Sequence, residues 1–527
     1  MILSTLQKER AAYQPKCSPL LEAIDSLAFD PIGDAAIDPK IEALFPKTER
    51  RPIEKLTRGA KHSFEPLRVG VVFSGGQAPG GHNVIWGLFD ALKKLNTHSE
   101  LLGFLDGPSG ICENKTMPIT EEALADFRNQ GGFDLIGSGR TKIETPEQFA
   151  ASARTARDLD LDGIVVIGGD DSNTNAALLA EHFAKEGLKT RVVGVPKTID
   201  GDLKTADIEA SFGFHTACSV YCELIGNIAK DVLSAKKYTH FIKLMGRSAS
   251  HIALECALHT QPNMTLISEE IAEKNKSLRQ IVEEITDLVE SRASQGKNYG
   301  IVLIPEGIIE FIPEMKTLIS ELNTLLAGHG GPEAISRLTS ESKSCFSSLP
   351  TSIQQQLLLD RDPHGNVKVA QIESEKLIIE MVTEELKKRG SKAKFSPLAH
   401  YFGYEGRAAL PTNFDADYCY NLGMLSAALI AYNKSGSICA IKNLSQPAST
   451  WEPYSVPITS LLHLEMRKGK EKAVIEKALV KLQGPLFKRF SEHRAKFARG
   501  DCYLIPGPIQ LFGPPEITDQ RPYILEG

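Results

Sequence analysis

The chain reads as an α/β protein built on a mostly parallel sheet. Two observations carry that expectation. Short apolar runs, such as 68–74 (Arg-Val-Gly-Val-Val-Phe-Ser) and 163–167 (Gly-Ile-Val-Val-Ile), lack the polar alternation of a half-exposed strand and read as buried strands. Each is followed by a segment of helical period. Strand–helix alternation of this kind gives parallel βα units, with ligands at the carboxyl ends of the strands.

After the run at 68–74, Ile85, Leu88, Phe89 and Leu92 fall at i, i+3, i+4 and i+7 on one helix face. After 163–167, the helix face is Ala176, Leu179, Ala180 and Phe183. Asn173 or Asn175 can cap that helix and Gly187 can close it. Further strands are expected at 192–195, 240–244, 265–267 and 299–304. Residues 1–66 read as an N-terminal extension of helix and Pro-rich loop packed on the main body. Residues 310–395 break the βα rhythm. They are polar and helical, with the clearest helix at 373–389 stopped by Gly390, and they read as an insertion. No solenoid repeat or low-complexity tract is present.

At 527 residues the chain can bury two or more sizeable cores. A formal net charge of −6 argues against nucleic-acid binding through a basic surface, while leaving room for a local basic pocket. The nine cysteines form no CxxC pair, and Cys218 and Cys222 have no matching ligand pair for zinc, so reduced thiols in the cytoplasm are expected. The first ten residues lack a signal-peptide layout, and the apolar stretch at 422–432 is too short and interrupted to span a membrane.

Five motifs fall at strand ends. Residues 74–81 (Ser-Gly-Gly-Gln-Ala-Pro-Gly-Gly) match neither a dinucleotide fingerprint nor a Walker loop, yet their glycines can expose N–H groups to an anion. A plain βα turn would need the same glycines. Residues 137–142 (Gly-Ser-Gly-Arg-Thr-Lys) place two cations beside glycines, as a phosphate site or a charged surface loop would. Residues 168–172 (Gly-Gly-Asp-Asp-Ser) combine a phosphate-type turn with two carboxylates. One of these, Asp170, can hold a metal. The other, Asp171, is one negative charge more than a phosphate site needs. Residues 196–202 (Pro-Lys-Thr-Ile-Asp-Gly-Asp) offer Asp200 as a proton acceptor and Lys197 as a charge to neutralise a transferring phosphate, although such Asp residues also cap helices. Finally Met245-Gly246-Arg247 and Tyr404-Glu405-Gly406-Arg407 each bring an Arg that can grip a phosphate bidentately or simply pair on the surface.

In this order, together with 212–217 (Phe-Gly-Phe-His-Thr-Ala) and 305–307 (Pro-Glu-Gly), these motifs resemble the phosphofructokinase family in its long, pyrophosphate-dependent form. The resemblance runs from about residue 67 to about 423 and continues more weakly to the C-terminus. It implies two Rossmann-like α/β domains, and a reversible, Mg²⁺-dependent transfer of phosphate from pyrophosphate to the C1 hydroxyl of fructose 6-phosphate. Gly75 would meet the phosphoryl donor, with Arg140 nearby. Asp170 would bind Mg²⁺ and Asp200 would be the base. Thr198 and Ile199 would line the sugar pocket. Met245, Gly246, Arg247, Tyr404 and Arg407, with Glu405 and Gly406 between the last two, would hold fructose 6-phosphate. Glu306, or failing that Glu269, would contact the sugar. Lys237 and Tyr238 match a segment that reaches the neighbouring subunit's sugar phosphate, so a homodimer is expected.

ATP-dependent members carry glycine where this chain has Asp171 and Lys197. A carboxylate at 171 adds bulk and repels an α-phosphate, and Lys197 supplies charge for the smaller donor. Gln77, where many members have Asp, leaves no extra carboxylate for the metal at that point. The expected domains are an extension at 1–66, a donor-binding domain at 67–205 plus 405–527, and a sugar-binding domain at 206–404 that includes the helical insertion 310–395. The alternatives are an ATP-dependent phosphofructokinase and a non-catalytic regulatory subunit; the latter would be expected to lose Asp170 or Asp200.

Overall fold

Fifteen strands organise the computed structural model, which describes residues 3–34, 37–48, 52–326, 331–359, 367–467, 470–506 and 515–526. In chain order they are β1 (Leu27–Asp34), β2 (Pro52–Arg58), β3 (Arg68–Ser74), β4 (Glu100–Phe104), β5 (Thr116–Ile119), β6 (Gly163–Gly168), β7 (Arg191–Pro196), β8 (Thr239–Leu244), β9 (Met264–Thr265), β10 (Gly300–Pro305), β11 (Pro397–Phe402), β12 (Ser437–Lys442), β13 (Glu452–Pro457), β14 (Leu462–Arg467) and β15 (Lys470–Ile475). The chain divides into two compact units. One comprises residues 1–217, 405–478 and 509–525, and the other 218–404, 479–508 and 526–527.

The first unit holds a nine-stranded sheet of order β1-β2-β13-β12-β7-β6-β3-β4-β5. Its centre, β12-β7-β6-β3-β4, is parallel, and its flanks are antiparallel. From β3 the chain first moves outward to β4, then returns to the other side of β3 for β6. The β3/β6 boundary is therefore a topological switch point, where the loops leaving the strands diverge and leave room for a ligand. The motifs at 74–81 and 168–172 leave these two strands.

The helix after β6 spans Asp170–Lys185, with Gly169 as its N-cap. Neither Asn173 nor Asn175 caps it, contrary to the sequence expectation. Asn173 is buried and gives its side-chain amide to the carbonyls of Gly168 and Gly169, and Asn175 is bonded to the backbone of Ile143. Both acids of the motif thus occupy the first helical turn, where the helix dipole favours negative charge. The helices Gly81–Leu95 and Asn413–Ala431 approach so closely that a Cβ on Gly87 would lie 2.1 Å from the Tyr420 carbonyl oxygen, and one on Gly423 would lie 2.1 Å from that of Val84.

The extension is more than helix and loop. Its β1 and β2 extend the large sheet, and Ile41 and Phe45 share the core with β6 residues such as Ile164 and Val166. The prolines that made this stretch read as loop, Pro31 and Pro52, are tolerated because β1 is an edge strand and Pro52 opens β2.

The second unit holds a parallel four-stranded sheet of order β11-β8-β10-β9. The expected strand at 265–267 is shorter and earlier, because Ile267 is already the N-cap of helix Ser268–Glu273. β11 was not foreseen. The insertion is helical, as expected of its composition, with helices Pro313–Leu326, Gly331–Ser336, Ser340–Ser348, Thr351–Leu359 and Ser374–Lys388. Its apolar residues Leu318, Phe346 and Leu377 join one core with Phe241 and Val302 of the sheet. Of the expected extension and insertion, 1–2, 35–36, 49–51, 327–330 and 360–366 lie outside the described residues.

The unit boundaries depart from the expected ones at three points, one of them Glu526 at the chain end, which groups with the second unit. Residues 206–217 stay with the first unit, where the Tyr418 hydroxyl donates to Ala210 O at 2.6 Å and Asp415 accepts from the N–H groups of Gly213 and Thr216. Residues 479–508 go to the second unit. There Asn263 donates to the carbonyls of Phe497 and Gly500, and Leu504 donates to that of Thr260. Among the described residues no helix is long and apolar enough to cross a membrane, and all nine cysteines are free thiols.

Candidate active site

In the first unit, three strand ends meet around a glycine turn. Gly75 has φ +91°; its N–H donates to Gly139 O at 2.9 Å, and its carbonyl accepts the Ser138 hydroxyl at 2.5 Å. The loop 137–142 is thereby laid alongside the loop 74–81. A Cβ on Gly75 would lie 3.4 Å from Lys197 Nζ, and one on Gly76 would lie 3.5 Å from both Arg140 Nη2 and Arg407 Nη1. Three cations therefore converge on one pair of glycines. Ser172 ties the second strand end to the first, donating to Ser74 Oγ at 2.8 Å.

Lys197 follows β7, and its own N–H donates to Gly168 O at 3.0 Å. Its ammonium is almost fully buried. Burial brings its pKa down to about 8, a fall limited by the negative charges of Asp200, Asp170 and Asp202 and deepened by Arg140. The next residues form a tight turn in which the Asp200 N–H donates to Thr198 Oγ1 at 3.1 Å and the Ser211 hydroxyl donates to Thr198 O at 3.0 Å. Thr198, buried Ile199 and Asp200 therefore sit in the first unit with the loops at 74–81, 137–142 and 168–172.

The two acids of the 168–172 motif have different surroundings. Asp171 is half exposed and pairs with Lys142 at 3.1 Å. The second cation of the 137–142 loop is thus matched to the extra acid. Asp170 Oδ2 lies 3.7 Å from Lys477 Nζ, which is 4.0 Å from Asp202 Oδ2. Lys477 follows β15, and its neighbours anchor it. The Ile475 N–H donates to Thr174 Oγ1, and the Ala478 N–H donates to Asp202 O at 2.7 Å.

Among the described residues no cluster of three or more His, Cys, Asp or Glu could cage a metal. Asp170, with Lys477 Nζ at 3.7 Å and the Lys197 charge nearby, fits a Mg²⁺-type ion. Such an ion keeps its waters and completes its shell with substrate phosphates.

In the second unit, the ends of β8, β10 and β11 bring together the other motifs. Glu306, after β10, is buried; its Oε2 accepts the Gly246 N–H at 3.1 Å and its Oε1 accepts the Tyr401 hydroxyl at 3.0 Å. Burial pushes its carboxyl upward, opposed by those two donors and by the charges of Lys243 and Arg247. Gly307 is required here, because a Cβ would lie 1.8 Å from Arg247 O. Arg247 lines an open pocket of about 450 Å³ with Ser248, Phe311 and Lys316. The Met245 N–H donates to Phe402 O, which joins the ends of β8 and β11. Tyr404 is largely exposed, with its ring edge-on to that of Tyr401. Glu269 is occupied as a tether, its Oε1 accepting the N–H groups of Ser250 and Val480. Lys237 lies over the Tyr238 ring, immediately before β8.

The comparison with known proteins decides the family. A model described as phosphofructokinase matches residues 68–430. This chain belongs to the phosphofructokinase family. It is 49% identical to pyrophosphate–fructose 6-phosphate 1-phosphotransferase of Treponema pallidum, over 99% of this chain and 96% of that protein. It is 50% identical to the β 2 subunit of the Arabidopsis thaliana enzyme of that name, over 94% of this chain and 89% of that protein. A crystal structure of a pyrophosphate-dependent phosphofructokinase from Nitrosospira multiformis shares the fold, with TM-score 0.57 at 16% identity, covering 83% of this chain and 93% of that one.

Within this phosphofructokinase fold, Gly75, Arg140, Asp170, Lys197 and Asp200 come together as the sequence motifs suggest. So, separately, do Gly246, Arg247 and Glu306. Two features escaped the sequence. Arg407, expected beside the sugar phosphate, stands with Arg140 at Gly76 in the loop 74–81. Lys477 carries no motif, and its only sequence signal is a basic residue just after a hairpin.

Proposed function

We propose that the chain is a pyrophosphate–fructose 6-phosphate 1-phosphotransferase. The observation that carries this reading is the buried Lys197 ammonium at Gly75, near Asp170, with Asp171 on the same helical turn as Asp170 and paired with Lys142. In an ATP-dependent enzyme that corner must admit an α-phosphate. A carboxylate at 171 would add bulk and negative charge against that phosphate.

Arg140, Arg407 and Lys197 bind and neutralise pyrophosphate. The C1 oxygen of fructose 6-phosphate attacks the near phosphorus, the P–O–P bridge breaks, and orthophosphate leaves. Asp200 takes the proton that the C1 hydroxyl gives up. The transition state is loose, so positioning and neutralisation are the protein's main contribution. Asp170 would hold Mg²⁺, which would supply further charge neutralisation on the pyrophosphate oxygens. Glu306, Gly246, Arg247 and Tyr404 bind the sugar phosphate. Thr198 and Ile199 line the sugar pocket. Lys237 and Tyr238 reach the sugar phosphate of a second copy, in a homodimer. The free thiols accord with a cytoplasmic location, and the family resemblance with a reversible reaction.

A coupled assay on the purified chain, with fructose 6-phosphate and either pyrophosphate or ATP, tests the reading. Faster turnover with pyrophosphate is expected; faster turnover with ATP overturns it. A chain inactive alone that activates a partner would instead be a regulatory subunit.

A further inference from the structure

A lysine lies in the middle of the parallel sheet of the second unit, where strands are normally apolar throughout. Lys243, on β8, is 4% exposed. Its partners come from the helical insertion. The ammonium donates to Ile372 O at 3.1 Å, just before helix Ser374–Lys388, and pairs at 3.3 Å with Glu375 Oε2 in that helix's first turn. Glu375 is buried as deeply as Lys243. A buried lysine needs such partners, because an unpaired charge there would be costly.

On its other side Lys243 faces the ring of Tyr401, its register partner on β11, at 4.7 Å. Tyr401 gives its hydroxyl to Glu306. The contacts form one line, Glu375–Lys243–Tyr401–Glu306, from the first turn of an insertion helix to the carboxylate of the Pro-Glu-Gly motif. Among the described residues, the groups that face Glu306 include Tyr401, the Gly246 N–H, Lys243 and Arg247; those that face Lys243 include Glu375, the Ile372 carbonyl, the Tyr401 ring, Glu306 and, at longer range, Glu373.

We propose that Lys243 and Tyr401 are positioning residues for Glu306, and that the helical insertion, through Glu375 and the Ile372 carbonyl, is the buttress that sets them. This rests on the reading of Glu306 as a sugar contact. The insertion then has a definite task. It supplies the counter-charge that lets a lysine stand inside the sheet, and that lysine fixes a tyrosine and opposes the upward push that burial gives the Glu306 carboxyl. A cation over the ring face also makes the phenol a better hydrogen-bond donor.

The test uses the full chain and steady-state kinetics with pyrophosphate and varied fructose 6-phosphate from acid to alkaline pH. Tyr401→Phe removes one donor from the Glu306 carboxylate. It is expected to raise KM for fructose 6-phosphate by roughly five- to tenfold with kcat within about threefold, and to move the acid limb of kcat/KM to higher pH. Glu375→Gln is expected to act in the same direction and less strongly. Should it fold poorly, the double variant Lys243→Met with Glu375→Met replaces a buried ion pair by an apolar pair, which proteins commonly tolerate. It removes the Lys243 charge, so its acid limb should also move up. A KM and acid limb matching the parent in Tyr401→Phe, or an unmoved limb in a folded double variant, overturns the proposal. Glu306→Gln separates the two levels. If it leaves KM for fructose 6-phosphate unchanged, the assignment of Glu306 itself is wrong. If it raises KM while the other variants behave as the parent, only the buttress is refuted.

Discussion

Lys197 is the group whose titration most directly tests the donor site. Its pKa stands at about 8 against an ordinary 10.5, a differential cost of about 3 kcal/mol for the charged form. Near pH 7 about nine-tenths of the enzyme carries the ammonium, and near pH 9 only about one-tenth does. If the ammonium neutralises pyrophosphate, kcat/KM for pyrophosphate falls as pH rises through about 8, by about tenfold per pH unit beyond it. Stability moves the opposite way. Between about 8 and 10.5 the unfolded chain holds a proton on this lysine that the native chain has lost, so this group's contribution to unfolding free energy rises with pH across that window.

The assay is a pH profile of kcat/KM for pyrophosphate at fixed free Mg²⁺, run on the parent and on Lys197→Arg. Arginine stays charged throughout this range, so whatever activity the variant keeps should lack the alkaline limb near 8. Titration of pyrophosphate itself is common to both proteins and cancels in the comparison. A parent profile flat to pH 9.5, or the same limb in the arginine variant, refutes the reasoning. Lys197→Met should lower kcat by roughly 10²- to 10³-fold, the scale for removing one pre-organised group from a developing charge.

Asp171→Gly should admit ATP weakly and cost activity with pyrophosphate, so the ratio of kcat/KM values for the two donors shifts toward ATP; an unchanged ratio removes Asp171 from donor choice. Lys477→Met should weaken Mg²⁺–pyrophosphate binding by roughly tenfold, about 1.4 kcal/mol for one charge-assisted contact, and should shrink the thermal stabilisation that this ligand confers. Full stabilisation in that variant would assign Lys477 to structure alone. Gly87→Ala places a methyl group 2.1 Å from the Tyr420 carbonyl oxygen and should destabilise the first unit by about 2 kcal/mol or more, read as a lower urea midpoint. An unchanged midpoint would show that the two helices can part without penalty.

Much of the site was legible locally. The runs that became β3, β6, β7, β8 and β10 announce themselves by apolar composition, and a parallel sheet obliges the next few residues to lie at its carboxyl edge. That is why the loops at 74–81, 168–172 and 196–202 could be read as one site. Several strands of both sheets were not named from the sequence, and in three of them the local chemistry points elsewhere. Pro31 and Pro52 signal loop, and only membership of an edge makes them acceptable in β1 and β2. β11, Pro-Leu-Ala-His-Tyr-Phe, begins with a proline and carries a histidine, and only pairing with β8 makes it a strand. Asn173 looked like a helix cap because Asn caps helices. It is drawn instead to the carbonyls at the end of β6, which only the folded turn places within reach.

The sequence by itself determined the family and the order of the main βα units, and it offered Asp171 and Lys197 as the proposed determinants of donor choice, because each of these is written in a few adjacent residues. Tertiary structure alone decided which distant side chains share the site. Arg407 joins Arg140 at Gly76, Lys142 takes up Asp171, Lys477 arrives from beyond a hairpin to face Asp170, and Glu375 of the insertion permits Lys243 beneath Tyr401. The physical reason is one of range. Periodicity and turn chemistry act over a few residues, whereas burying a charge demands a counter-charge from whichever segment packing brings near. That partner carries no mark of its role in its own neighbourhood.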